Sequence, residues 1–240
     1  MIELEHLSKN YGSVRAVRDL NLKILRGELF CFLGPNGAGK TTTIKMMCGL
    51  LHPSAGVVRI GGIDIREDPI AVRRMTGYIP DFPFLYDRLT AAEFFEFTGD
   101  LYGVPREEAA REMDASFERF GLVEHRHALI KDLSHGLSLR VIYAVTLLHK
   151  PRVLFVDEPF IGLDPFSIRM IKDLLKTKAR EGTTIFLTTH ILALIEDMAD
   201  RIGIIVNGNL AALGTFEQLA AQCSIQGGRL EDVFFSLATS

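Results

Sequence analysis

The residues best placed to do chemistry are Gly34-Pro35-Asn36-Gly37-Ala38-Gly39-Lys40-Thr41, with Thr42 continuing the run. Glycines at this spacing let the backbone curl so that successive N–H groups point inward at phosphate oxygens. A lysine at the end of such a loop reaches the β- and γ-phosphates, and the neighbouring hydroxyl sits on Mg²⁺. Such a pattern arises by chance in on the order of one chain in a hundred of this length, so its flanks decide. Leu29-Phe30-Cys31-Phe32-Leu33 before it reads as a strand, and Thr42 to Leu50 after it reads as a helix. A helix start adds the positive end of its dipole to the loop. The stretch therefore predicts a nucleoside triphosphate site.

A triphosphate site needs a metal anchor and a group to handle attacking water. Val153-Leu154-Phe155-Val156 is a continuous apolar run ending at Asp157 and Glu158, which suits a strand buried on both faces. Alone, such an acidic pair is a solvated strand end. Beside a phosphate loop it stands where a nucleotide-binding sheet places its ligands. Asp157 can then hold Mg²⁺ through water while Glu158 polarises the nucleophile.

The remaining segments must position these groups. Ile2 to Leu7 and Val17 to Ile24 alternate as half-buried strands do. Tyr11-Gly12 is a turn, Pro53 to Gly56 a break, Val57 to Ile60 a strand and Gly61-Gly62 another turn. Residues 69–75 read as a helix, and Gly77 to Pro80 as a short strand. From Phe82 to Lys150 the alternation gives way to helices over Thr90–Tyr102, Arg106–Phe120 and Leu137–His149. Seven of the sixteen phenylalanines lie between Phe82 and Phe120. They form either a Phe-packed core or, for Phe82, Phe84, Phe94, Phe95 and Phe97, a groove for a partner helix. Helices over Ser167–Arg180 and Ile191–Met198 then alternate with strands at Thr184–Thr188 and Ile202–Val206. Thr215 to Ser240 reads as two short helices broken at Gly227-Gly228.

Bulk properties narrow the classes. A net charge of −3 gives no basic footprint, so no nucleic acid is expected. Cys31, Cys48 and Cys223 lack metal spacing and read as thiols in a reducing compartment. No apolar run approaches the roughly 18 residues of a membrane span, and the amino terminus lacks a signal peptide pattern. The expectation is a cytoplasmic protein that reaches a membrane only through a partner.

Further motifs share this order. Leu133-Ser134-His135-Gly136-Leu137 precedes Asp157 by 23 residues counted from Ser134, and Gly162-Leu163-Asp164 and Thr188-Thr189-His190 follow. Over essentially the whole chain this series resembles the ATP-binding cassette (ABC) family of transporter ATPases. The resemblance implies an α/β ABC ATPase fold with a P-loop core and mixed sheet, an amino-terminal antiparallel β subdomain and an inserted helical subdomain. It divides one domain, residues 1–240, into a core (1–81 and 151–240), a helical insert (82–150) and a short helical tail (215–240).

The resemblance also assigns roles. Two cassettes pair head to tail, each ATP held between the Walker A loop of one and the signature of the other. Ser134, His135 and Gly136 then face the γ-phosphate of the opposite subunit's ATP. Glu158 is the general base, His190 contacts the γ-phosphate, and Asp164 marks the D-loop. Tyr11 falls where the family stacks an aromatic on adenine, and Val17 joins the nucleotide-binding set. The implied cofactors are ATP and Mg²⁺. The implied partners are a transmembrane permease subunit and a second ABC ATPase subunit, at the inner face of the cell membrane.

Three motifs depart from the family pattern. His135 and Leu137 replace a glycine and a glutamine of the signature, Asp81 replaces the Q-loop glutamine, and Ile161 replaces a small polar D-loop residue. Asp81 is therefore added to Thr41 and Asp157 as a metal-site residue. Gly208 to Leu219 and Leu230 to Phe234 resemble the ending of drug- and sodium-efflux exporters. The rivals are a soluble ABC ATPase in DNA or ribosome work and a non-hydrolysing regulatory cassette. Lys40→Ala removes the loop's only side-chain cation. It is expected to weaken ATP binding and stop hydrolysis, and near-normal turnover would contradict the phosphate-loop assignment.

Overall fold

A computed structural model of the chain describes residues 1–82, 85–223 and 229–238. Phe84 and the Gly227-Gly228 break lie outside the described residues. In chain order the strands are β1 (Ile2–Tyr11), β2 (Val14–Ile24), β3 (Leu29–Leu33), β4 (Ala55–Ile60), β5 (Ile63–Asp64), β6 (Thr76–Ile79), β7 (Val153–Asp157), β8 (Thr184–Thr189), β9 (Arg201–Val206) and β10 (Asn209–Gly214). The α-helices are α1 (Lys40–Met47), α2 (Pro69–Met75), α3 (Ala91–Tyr102), α4 (Arg106–Phe120), α5 (His135–Leu148), α6 (Pro165–Arg180), α7 (Phe216–Gln222) and α8 (Leu230–Ala238).

Two sheets result. The first is antiparallel through its pairings, in the order β2-β1-β4-β5. Ile2, Leu4 and Leu7 of β1 are all buried although their spacing breaks strict alternation. The register shifts between Leu4 and Leu7, where His6 has φ +50°, and this irregularity turns Leu7 back to the core face.

The second sheet runs β10-β9-β3-β8-β7-β6. Neighbours from β9 to β6 pair parallel, while β10 returns antiparallel. Every residue of β3, β7 and β8 is buried, as their unbroken apolar runs predict. Leu33 pairs with Thr189, and Asp157 with Thr188. The phosphate loop, the acidic pair and His190 thus leave the sheet at one edge, at the carboxyl ends of adjacent strands.

Helices α3, α4 and α5 pack against one another. Thr90 and Glu93 cap α3 reciprocally. Phe95 and Phe117 meet edge-on at 5.8 Å, and Phe120 packs against Tyr143. The Phe-rich stretch therefore divides. Phe94, Phe95, Phe117 and Phe120 are core, each burial worth ~1.5–3 kcal/mol. Phe82, Phe97 and, beside them in sequence, Tyr86 and Leu101 are exposed.

Several expected elements change. Ile191–Met198 forms no α-helix, only a 3₁₀ turn at Leu192–Leu194. Its buried residues, Leu192, Ile195 and Met198, recur every three positions, which matches three residues per turn. Helix α5 begins at His135 rather than Leu137, with Ser134 as its cap. Strand β10 was not anticipated, although Asn207-Gly208 is a strong two-residue hairpin signal. Both turn residues have positive φ, 50° and 81°.

That hairpin buttresses the phosphate loop, because Gly208 N donates to Ala38 O at 3.1 Å. Two loop glycines have no room for a side chain. A Cβ at Gly34 lies 2.4 Å from Ile205 O of β9, and one at Gly39 lies 2.4 Å from Ala16 O of β2. Gly37 meets nothing within 4 Å. Gly34→Ala is therefore expected to lower the unfolding midpoint and cost more nucleotide affinity than Gly37→Ala, by calorimetry and fluorescent-nucleotide titration. Equal effects would place the loop's tolerance elsewhere.

Candidate functional site

An open cleft of about 350 Å³ lies over the loop, lined by Ala16, Asn36, Gly37, Gly39, Lys40, Thr41, Thr42, Asp81, Glu158, Ile161 and His190. Lys40 opens α1 and is buried. Its Nζ donates to Gly34 O at 2.7 Å and Pro35 O at 3.2 Å. Glu158 Oε1 is 3.2 Å from the same ammonium, close enough to pair electrostatically but not aligned as a hydrogen bond.

Glu158 is only 7% exposed and sits in the left-handed region at φ +47°. Its backbone N donates to Thr188 O at 3.0 Å, which fixes the turn leaving β7. Oε2 lies 3.0 Å from His190 Nδ1 and accepts the His190 backbone N–H at 3.3 Å. Glu158 thus stands between Lys40 and His190, with one carboxylate oxygen toward each.

Asp157 is fully buried, and Thr188 Oγ1 donates to its Oδ1. Burial pushes the Asp157 carboxyl above its ordinary range, against the pull of the Thr188 and Thr41 hydroxyls. Asp81 and Glu158 raise it further by like charge. Its Oδ2 is buried without a hydrogen-bond partner. An orphaned carboxylate oxygen near a threonine hydroxyl is an all-oxygen donor set that suits Mg²⁺, which binds through few protein ligands plus phosphates. Among the described residues no cluster of three or more His, Cys, Asp or Glu forms a metal cage. The residues fit Mg²⁺ held jointly with a nucleotide.

Other expected residues lie further out. Asp81 is exposed at the cleft mouth, its Oδ1 accepting Phe82 N at 2.8 Å. Tyr11 is half exposed under the Lys9 ammonium and does not line the cleft. Val17 is fully buried, so Ala16 rather than Val17 reaches the opening. Ser134, His135 and Gly136 form the amino end of α5 and do not line this chain's own cleft. Ser134 Oγ accepts Leu137 N at 3.3 Å. Asp164 caps α6 through Phe166 N and Ser167 N at 2.9 and 3.0 Å. The Ser167 hydroxyl and these amides hold the Asp164 carboxyl below its ordinary range. Thr188 and Ala16 act at the site without having been singled out for it; Thr188's signal was its place in Thr188-Thr189-His190.

A model of the ABC transporter family matches residues 17–161. The chain belongs to the ABC transporter family. A shorter AAA-domain match covers residues 130–196. The chain is similar to the linearmycin resistance ATP-binding protein LnrL of Bacillus subtilis, 36% identical over 95% of this chain and 72% of that protein. It superposes on a solved ATP-binding subunit of an ABC transporter with TM-score 0.93, at 32% identity and 99% coverage of both chains. A dimeric bacterial ABC transporter cassette, MJ0796, matches at TM-score 0.81 and 27% identity, over 90% of this chain and 98% of that one.

The ABC cassette thus keeps its fold and a nucleotide cleft while Asp157 carries an unfavourable buried charge. Linkage gives the sign: a raised carboxylate stabilises the fold when protonated and loses that contribution as pH rises through its folded pKa. Asp157→Asn should accordingly raise the unfolding midpoint near neutral pH without metal, yet abolish Mg²⁺-dependent hydrolysis. The stability gap should close as pH falls toward the carboxylate range. A lower midpoint throughout would show that Asp157 is a structural anchor instead.

Proposed function

We propose that this cassette is the ATP-hydrolysing subunit of an exporter, working as one of a pair beneath a separate transmembrane permease. The observation that carries the reading is the buried Glu158 carboxylate held between Lys40 and His190 at the phosphate loop. Loop N–H groups and Lys40 bind the triphosphate. Thr41 and Asp157 would supply oxygens for Mg²⁺, with Asp81, which lines the cleft mouth, as a further candidate ligand. A Mg²⁺ ion held by Thr41 and Asp157 would supply positive charge to offset the negative charge of the phosphates. Glu158 accepts the proton of the attacking water. His190 fixes the Glu158 carboxylate and contacts the γ-phosphate from its exposed side.

Ser134 and the Gly136 N–H serve the ATP of a second cassette. Their position at an open helix start, outside the lining of this chain's cleft, supports that division, since a helix amino end favours phosphate charge. His135 stands beside them. Asp164 keeps the intervening D-loop turn in place. Tyr11 and Val17 flank the nucleotide end, Val17 by holding Gly39 from below.

Export is favoured by the resistance function in the name of the Bacillus relative. Among the described residues no helix is long and apolar enough to cross a membrane. Membrane attachment at the inner face therefore falls to the permease. Phe82, Tyr86, Phe97 and Leu101 offer it an exposed apolar surface on the helical insert (82–150), apart from the core (1–81 and 151–240). A non-hydrolysing cassette is disfavoured by the intact Glu158–His190 pair.

Glu158→Gln tests the mechanism. ATP binding should persist while hydrolysis slows roughly 10²–10⁴-fold, the usual worth of a positioned base. With both sites unable to fire, light scattering should show a dimer with ATP and a monomer with ADP. A monomer under both conditions would count against the paired arrangement.

A further inference from the structure

Helix α5 does not end its connections at Ser134. Two turns in, Arg140 reaches across to two other helices. Its Nη1 donates to Phe120 O, at the end of α4, at 3.3 Å. Its Nη2 donates to Ser167 Oγ at 3.1 Å. Ser167 is buried, and its hydroxyl donates in turn to Asp164 Oδ2 at 2.6 Å. The serine has one proton to give and lone pairs to offer, so both bonds form together. The guanidinium therefore ties α5 to the carboxylate that caps α6.

The start of the same helix lies beside this turn as well. The His135 Cδ2 is 3.7 Å from where a Cβ on Gly162 would stand, with Gly162 at φ +72°. The amino end of α5 thus neighbours the Gly162–Asp164 turn, to which the Arg140–Ser167–Asp164 bonds tie it. Orientation for the Nη bonds leaves Arg140 Nε buried without a partner. A stranded donor costs stability, so the fork is set by its two acceptors rather than by general satisfaction of its own groups.

We infer that Arg140 is a positioning residue: through Ser167 and Asp164 it aims Ser134 and the α5 amino end at the ATP of the partner cassette. The inference rests on the reading that α5 serves the opposite subunit's nucleotide. Arg140 stands six residues from Ser134, about 9 Å along the helix. A small pivot there displaces Ser134 beyond hydrogen-bond tolerance, while this chain's own loop, Lys40 and Glu158 keep their places.

The test uses mixed pairs in which both cassettes carry Glu158→Gln, so that bound ATP is retained. One chain, tagged to differ in size, also carries Arg140→Met. Photolabelling with radioactive 8-azido-ATP then reports which chain holds nucleotide. Label on the untagged partner should fall roughly ten- to a hundredfold relative to label on the variant chain, the worth of a charge-assisted hydrogen bond. Ser167→Ala, which leaves α5 untouched, should give the same one-sided loss. Arg140→Lys, which keeps charge but not the fork, should recover part of it. Equal label on both chains, or equal loss from both, overturns the positioning role, and Ser167→Ala decides alone if Arg140→Met fails to fold. Ser134→Ala in the same format separates the two claims. If it too shows no one-sided loss, the shared-site reading fails; if it does and the Arg140 and Ser167 variants do not, only the positioning role fails.

Discussion

The parallel pairing of β7 with β8 is the constraint on which the site depends. Thr188 serves both carboxylates, Asp157 and Glu158, at once. Its hydroxyl donates to Asp157 Oδ1, and its carbonyl accepts the Glu158 backbone N–H. Two residues later the chain supplies His190, whose ring and backbone both meet Glu158 Oε2. With Leu33 of β3 paired to Thr189, the phosphate loop is brought to the same edge. A slip of one residue in this register would carry the Thr188 hydroxyl to the opposite face of the sheet from Asp157.

That edge is expensive to maintain. Asp157 is buried with one oxygen unpartnered, and Glu158 occupies a backbone region that costs a non-glycine residue ~1–2 kcal/mol. Both penalties fall at the residues assigned to metal and water. Strain and unsatisfied charge gather where the surrounding structure can enforce them, here by the fully buried strands β3, β7 and β8. The same buried carboxylate is what a divalent cation, in the proposed mechanism, would neutralise.

The second set of groups, at the start of α5, has different mechanical support. It stands on packed helices rather than on the sheet edge, with Phe95, Phe117 and Phe120 fixing α3 and α4 behind it. Its ties to the core run through polar contacts at the Gly162–Asp164 turn. That turn lies between Glu158 and α6, so the segment bearing the proposed base is continuous with the segment that braces α5.

The sequence alone determined the phosphate loop, the acidic pair at the end of an apolar strand and the alternation of the core, because each is a local pattern with a local cause. Glycine spacing and an unbroken apolar run do not need distant partners to be recognised. Tertiary structure decided the rest. Only packing separates buried Phe94 and Phe95 from exposed Phe97, since all three share one helix and one chemistry. Only strand order puts β8 between β3 and β7, giving Thr188 its two carboxylates. Val17 reads like any strand residue, yet the close approach of β2 to Gly39 buries it beneath the loop and leaves Ala16 at the cleft. Arg140 and Ser167 are 27 residues apart and carry no mutual pattern. Their contact exists because folding brings Arg140 of α5 to the amino end of α6, and a distance set by tertiary structure leaves no mark in local spacing.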